Sequence, residues 1–176
     1  MYFTPMSEVI LVNSNDEEIG SMEKLEAHQK GILHRAFSVF IFNNKHKLLL
    51  QKRALDKYHS GGLWTNTCCS HPSPGEEILA AAKRRLIEEM GICAPLEIIS
   101  SFIYKAAFEN GLIEHEFDHI LIGRYNDEVE INPMEVMDYK WISITDLNKE
   151  VSRHPDEFTI WFLKIYKQVF EQYLKR

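Results

Sequence analysis

The sequence is short of cysteine. It has three in 176 residues, with Cys68 and Cys69 adjacent and Cys93 apart. An odd count with a neighbouring pair excludes a disulfide framework and points to a reducing compartment. A basic surplus is also missing. Twenty Lys and Arg stand against 26 Asp and Glu, a formal charge of -6. That argues against a general nucleic-acid binder but leaves room for a local basic pocket around a phosphorylated small molecule. Apolar runs are short: ILAAA at 78–82 is among the longest, against the roughly 20 residues that cross a bilayer. The opening residues Met1-Tyr2-Phe3-Thr4-Pro5 show no basic segment followed by an apolar one. No export signal is therefore read, and no membrane, so a cytoplasmic location is expected.

What remains is an ordinary globular balance, 45% apolar and 26% charged. The length suits one domain over 1–176, with a core that needs no staples. Residues 8–13 and 35–42 read as strands, and Asn43-Asn44-Lys45 as a turn into Leu48-Leu49-Leu50. A short helix is expected at 21–28 and loop over most of 57–74. In 76–90, Leu79, Ala82, Leu86 and Met90 recur at helical spacing, with Gly91 as a stop. Two strands, 96–108 and 113–125, flank the hairpin signal Glu109-Asn110-Gly111. A strand at 139–142 and a helix from about 155 to 174 complete the chain. Strands interleaved with a few helices predict a mixed α/β domain.

The 76–90 helix carries many charges. Arg84/Glu88 and Arg85/Glu89 are each four apart, so each pair can meet on one face. Alone, that describes a solvated, salt-bridged surface. The wider pattern resembles the Nudix box, G-x5-E-x7-R-E-U-x-E-E-x-G-U, with U a bulky aliphatic. Glu76, Arg84, Leu86, Glu88, Glu89, Gly91 and Ile92 fall on matching positions. Ser70 stands in place of the first glycine, and Arg85 in place of the first glutamate of the R-E pair. In Nudix hydrolases that glutamate is a principal metal ligand. Arginine cannot bind metal, but its planar fork suits phosphate.

Further motifs surround the box: WTN-x2-C-x-HP at 64–72, LHRAFS at 33–38, Glu114-x-Glu116 and EVMDY at 135–139. Together they resemble type I isopentenyl-diphosphate Δ-isomerase, the isomerase branch of the Nudix superfamily, from about Val9 to Trp161. The resemblance implies a Nudix fold, a mixed β-sheet sandwiched between α-helices. It implies isomerisation of isopentenyl to dimethylallyl diphosphate in isoprenoid biosynthesis. It implies a tightly bound divalent ion (Zn²⁺, Mn²⁺ or Mg²⁺) held by His28, His34, His71, Glu114 and Glu116, three imidazoles and two carboxylates. A second ion, Mg²⁺, is expected at Glu89 with the substrate diphosphate. Cys69 and Glu116 match the two proton-handling residues, and Tyr104 tunes Glu116. Lys24, Arg53, Lys57 and Arg85 match diphosphate-binding positions. Trp161 matches the aromatic residue that faces the tertiary cation, and also fits the apolar stripe of the last helix. Trp64 is expected to line or shape the pocket. Cys68 is read as structural, and Glu88 receives no role. His46, His59, His115, His119 and His154 match no family ligand and are read as surface or hydrogen-bonded. Two rivals are a diphosphate hydrolase, which has no use for Cys69, and a non-catalytic diphosphate-binding module, which needs neither acid nor base.

Overall fold

A computed structural model describes residues 7–176; the residues in which no export signal is read lie outside them. The chain runs β1 (Glu8–Val12), β2 (Glu18–Glu23), α1 (Lys24–Lys30), β3 (His34–Phe42), β4 (Leu48–Arg53), β5 (Trp64–Thr65), β6 (Cys68–Ser70), α2 (Ile78–Met90), β7 (Leu96–Ala107), β8 (Ile113–Arg124), β9 (Val136–Ile142), α3 (Ile144–Arg153) and α4 (Ile160–Leu174). Strand β3 organises the sheet. It pairs in parallel with β8 along its whole length, from His34↔Glu116 to Phe42↔Arg124. It pairs antiparallel with β6, with Ser38 opposite Cys69. It also meets β1 at its start and β4 at its end. The sheet is mixed, as expected.

Its two faces follow from period-2 alternation. Phe37, Val39 and Ile41 face one way and pack with Ala81, Ala82, Leu86 and Met90 of α2. Phe40 and Phe42 face the other way, into a core shared with Phe162, Ile165, Tyr166, Val169 and Phe170 of α4. Helices therefore cover both faces. In β8 the same alternation gives an unusual result: the buried series begins Glu114, Glu116, Asp118 before turning apolar at Ile120. Buried carboxylates are costly unless paired, so this end of the sheet is built for something other than packing.

Several boundaries differ from expectation. Ser21 and Met22 do not start a helix; they pair with Ile10 and Val9 as part of β2. Helix α1 begins at Lys24 because the Glu23 carboxylate accepts from the amides of Leu25 and Glu26. The 57–74 stretch contains β5 and β6. Helix α2 starts at Ile78, since the Glu76 carboxylate is held by Arg84 and the Ser73 amide. Pro155–Glu157 forms one 3₁₀ turn. Thr159 then bonds to Trp64 O, delaying α4 to Ile160.

Candidate active site

The site lies where α1, β3, β6 and the inward face of β8 converge. His28 sits in the last turn of α1, and its Nδ1 meets Lys24 O at 2.6 Å. A carbonyl only accepts, so that nitrogen carries the proton and Nε2 is left as a bare lone pair. Among the described residues Nε2 is buried without a hydrogen-bond partner. His34 is oriented the same way by Ile32 O, 2.8 Å from its Nδ1. Its Nε2 lies 3.2 Å from His71 Nε2 and 3.7 Å from Glu116 Oε1. His71 Nε2 is 2.8 Å from the same oxygen. Ligand atoms of His28, His34, His71 and Glu116 all fall within 4.8 Å of one another. Glu114 Oε1 stands 3.8 Å from His28 Nε2.

Electrostatics fit a divalent cation. Burial depresses His71 to about 3, against the pull of Glu116, so its imidazole is neutral near pH 7, the ligand form. Burial and the neighbouring Glu116 charge would raise Glu114, but the imidazole contact from His59, 2.8 Å away, holds it below the usual carboxylate range. The same opposition holds Glu116 well below the usual range through His34 and His71. Converging imidazole nitrogens, one of them an orphaned lone pair, beside two ionised carboxylates are a chemically suitable donor set.

Tyr104 OH links the carboxylates, 2.5 Å from Glu114 Oε2 and 2.6 Å from Glu116 Oε2. It has one proton to donate, so the pair shares it. Cys69 opens onto the same cleft from β6, the strand on the opposite edge of β3 from β8. Its thiol is pushed up to about 12 by burial, only partly offset by Arg53, whose Nη1 is 3.7 Å from the sulfur. Trp161 lines the cleft, donates to Asn66 Oδ1 at 3.3 Å, and carries the Arg53 guanidinium over its ring at 5.3 Å.

Lys24, Arg53, Lys57 and Arg85 all line the cleft. Burial, then Lys57, Arg53 and Arg85, lower the Lys24 pKa. Among the described residues the Nε–H groups of Arg53 and Arg85 are buried without partners. Crowded cations with unsatisfied donors fit an anion. Arg85 is held by Glu88 (2.6 Å), Glu89 (2.7 Å) and Glu135 (3.2 Å), and Lys57 pairs with Glu135. Glu89 is buried in the cleft wall, also accepting from Gln51 at 2.8 Å. Glu88 is exposed and, among the described residues, pairs only with Arg84 and Arg85.

The cleft gathers the residues assigned to it by sequence except Trp64 and the fully buried His28 and His34. Trp64 is not among its lining residues; it lies beneath Lys140, 4.3 Å from its ring, and holds Thr159 ahead of α4. Four histidines sit outside the site, as read: His46 reaches Tyr173 OH, His115 Gly31 O and His119 Asp16, while His154 is exposed. His59 differs: it is buried in the cleft wall, with Nε2 2.8 Å from Glu114 Oε1. Tyr58, beneath Lys24 at 5.0 Å, was also missed. Neither lies in a periodic segment that could have placed it. Asp118 could have been found, because alternation from Glu114 and Glu116 puts it on their face.

The NUDIX domain family matches residues 32–162. Isopentenyl-diphosphate Delta-isomerase 2 of Photorhabdus laumondii is 56% identical over 89% of this chain and 89% of its own length. Isopentenyl-diphosphate Delta-isomerase of Serratia proteamaculans is 51% identical over 96% of this chain and 94% of its own. The chain belongs to the isopentenyl-diphosphate Δ-isomerase family. The family's Nudix fold is shared with solved structures of much lower identity. A Deinococcus radiodurans protein superposes with a TM-score of 0.68 at 18% identity, covering 83% of this chain and 89% of that one. The MutT protein of Methanosarcina mazei Go1 gives 0.65 at 18%, covering 82% and 96%.

Proposed function

We propose that the chain converts isopentenyl diphosphate to dimethylallyl diphosphate for isoprenoid biosynthesis, as one domain over 1–176, in the cytoplasm. Among the described residues no helix is long and apolar enough to cross a membrane. The observation that carries the reading over diphosphate hydrolysis is Arg85. Where a Nudix hydrolase places a metal-binding glutamate, this helix turns a guanidinium toward the cleft.

Lys24, Arg53, Lys57 and Arg85 hold the diphosphate and leave the five-carbon end among Cys69, Tyr104, Glu116 and Trp161, which line the same cleft. A divalent ion held by His28, His34, His71, Glu114 and Glu116 would fix the acidity of Glu116, and Mg²⁺ at Glu89 would neutralise diphosphate charge. The proton that Tyr104 OH shares with the Glu116 carboxylate, 2.6 Å away and replenished from solvent, passes to the terminal alkene carbon, and a tertiary cation forms at C3. The Trp161 ring stabilises that cation without offering it a nucleophile. A proton then leaves C2 toward Cys69, from the other edge of β3. Cys69 accepts it as the thiolate, the minor form, which the Arg53 contact favours and burial opposes. In the reverse direction the buried thiol is the donor.

Turnover in D₂O tests this. Dimethylallyl diphosphate should carry deuterium in a methyl group, and Glu116→Gln should abolish both labelling and turnover. Phosphate release with an unlabelled carbon skeleton would replace the reading with hydrolysis. Product without carbon-bound deuterium would overturn the acid–base assignment.

A further inference from the structure

His59 belongs to no motif, yet it is among the most constrained side chains in the cleft. Its side chain is 3% exposed. Phe108 stacks on the ring at 4.7 Å with a 12° interplanar angle. Tyr58 and Trp161 meet it edge-on at 4.6 and 5.9 Å. Its carbonyl accepts from Arg53 Nη2 at 3.3 Å. The preceding Tyr58 carbonyl is pinned by Asn110 of the β7–β8 turn at 2.8 Å. Both ring nitrogens are also accounted for. Ser60 Oγ is 3.2 Å from Nδ1, and Glu114 Oε1 is 2.8 Å from Nε2. An ionised carboxylate only accepts, so Nε2 carries the proton, and the serine hydroxyl can donate to Nδ1.

This gives Glu114 a donor on each oxygen: Tyr104 OH on Oε2 and His59 Nε2–H on Oε1. Oε1 is also the oxygen nearer the bare His28 nitrogen, at 3.8 Å. An oxygen has two lone-pair directions, so a fixed donor on one leaves the other aimed. We propose that His59 is a positioning residue for the metal centre. It clamps Glu114 from the loop between β4 and β5, setting that carboxylate toward the ion before the ion arrives. Such outer partners of a ligating group typically carry about 10–100-fold in metal affinity. The same ring touches Trp161, so the clamp also joins the metal centre to the wall around the substrate's carbon skeleton.

The inference rests on reading the His/Glu cluster as metal-holding, and the test keeps the two apart. Metal-stripped protein is titrated calorimetrically with Mn²⁺ in the absence of substrate. Wild-type protein should bind about one ion tightly, as the five-ligand set implies. His59→Phe keeps the stacked ring but loses the donor, and should bind about 10–100-fold more weakly. His59→Gln restores an N–H of similar reach and should recover most of that loss. If His59→Phe does not fold, His59→Asn takes its place, polar but too short to reach Glu114, with the same loss expected. Wild-type affinity in the Phe or Asn variant overturns the clamp. Equal weakening in the Gln and Phe variants assigns the effect to ring packing and also overturns it. Failure of the wild type to bind Mn²⁺ removes the metal centre itself and the clamp with it.

Discussion

Cys68 and Cys69 have the same side chain, and β6 turns them to opposite faces of the sheet. Cys68 is fully buried in the core under α2, among Val39, Ala82 and Leu86. Cys69 is half-buried and opens into the cleft beside Arg53. Cys69→Ala should therefore lower turnover by about 10²–10⁴-fold, the usual cost of removing a positioned proton carrier. Cys68→Ala should leave turnover within a few-fold and cost stability by about 1 kcal/mol, as for a small core deletion. Steady-state kinetics and thermal melts of the two variants check this; equal loss of turnover in both would reverse the assignment. Iodoacetamide at neutral pH should reach exposed Cys93 first, because burial keeps the Cys69 thiol protonated and slow to react. The sequence motif separates the two cysteines only through a family likeness; the physical separation comes from register, with Ser38 opposite Cys69 and Val39 opposite Cys68. Register was also what the sequence withheld for His59, whose loop obeys no period.

At the scale of elements, much of the Nudix box is helix engineering. Glu76 clasps Arg84 across two turns, at 2.8 and 2.9 Å, and accepts from the Ser73 amide. Gly91 ends α2 in the left-handed region, φ 65°, with its amide reaching back to Ile87 O. A Cβ there would lie 2.9 Å from both Cβ and O of Glu130. Gly91→Ala should cost about 2 kcal/mol through strain and that contact, which lowers Tm by about 4–8 °C in a chain of this size. Turnover measured well below the melt should change little, and an unchanged Tm would show that the cap is not required. The elements legible in the sequence were those with long periods or firm punctuation. The β7–β8 hairpin was announced by Glu109-Asn110-Gly111, and α2 by its apolar spacing and Gly91. Strand β2 was not legible, because its pairing with β1 leaves its first four residues exposed and polarity does not alternate. Helix α1, at seven residues, is too short for a 3.6 period to declare itself. Strands β5 and β6, of two and three residues, exist only through pairing with β4 and β3.

Over the whole molecule, the His/Glu cluster is where distant parts of the chain are tied together. His28 comes from α1, His34 from β3, His71 from the segment after β6, and Glu114 and Glu116 from β8. These groups satisfy one another imperfectly: among the described residues, His28 Nε2 and His71 Nδ1 are buried without partners. An ion at this point would cross-link four segments that the sheet alone joins, and it would do so only in the folded chain. Mass action then fixes the size of the effect: about 2.7 kcal/mol of stabilisation when free metal is 100 times its dissociation constant. Chelation should accordingly lower Tm by about 5–11 °C, and restoring Zn²⁺ or Mn²⁺ should return it. His71→Ala should melt at nearly the same temperature with and without added metal, because it removes an imidazole already neutral at pH 7 and with it the contact to Glu116. Differential scanning calorimetry of stripped and reloaded protein, wild type beside variant, reads both effects. A wild-type Tm indifferent to metal, or a variant that responds as strongly as wild type, would mean that these five side chains hold the fold through their own pairings and not through an ion.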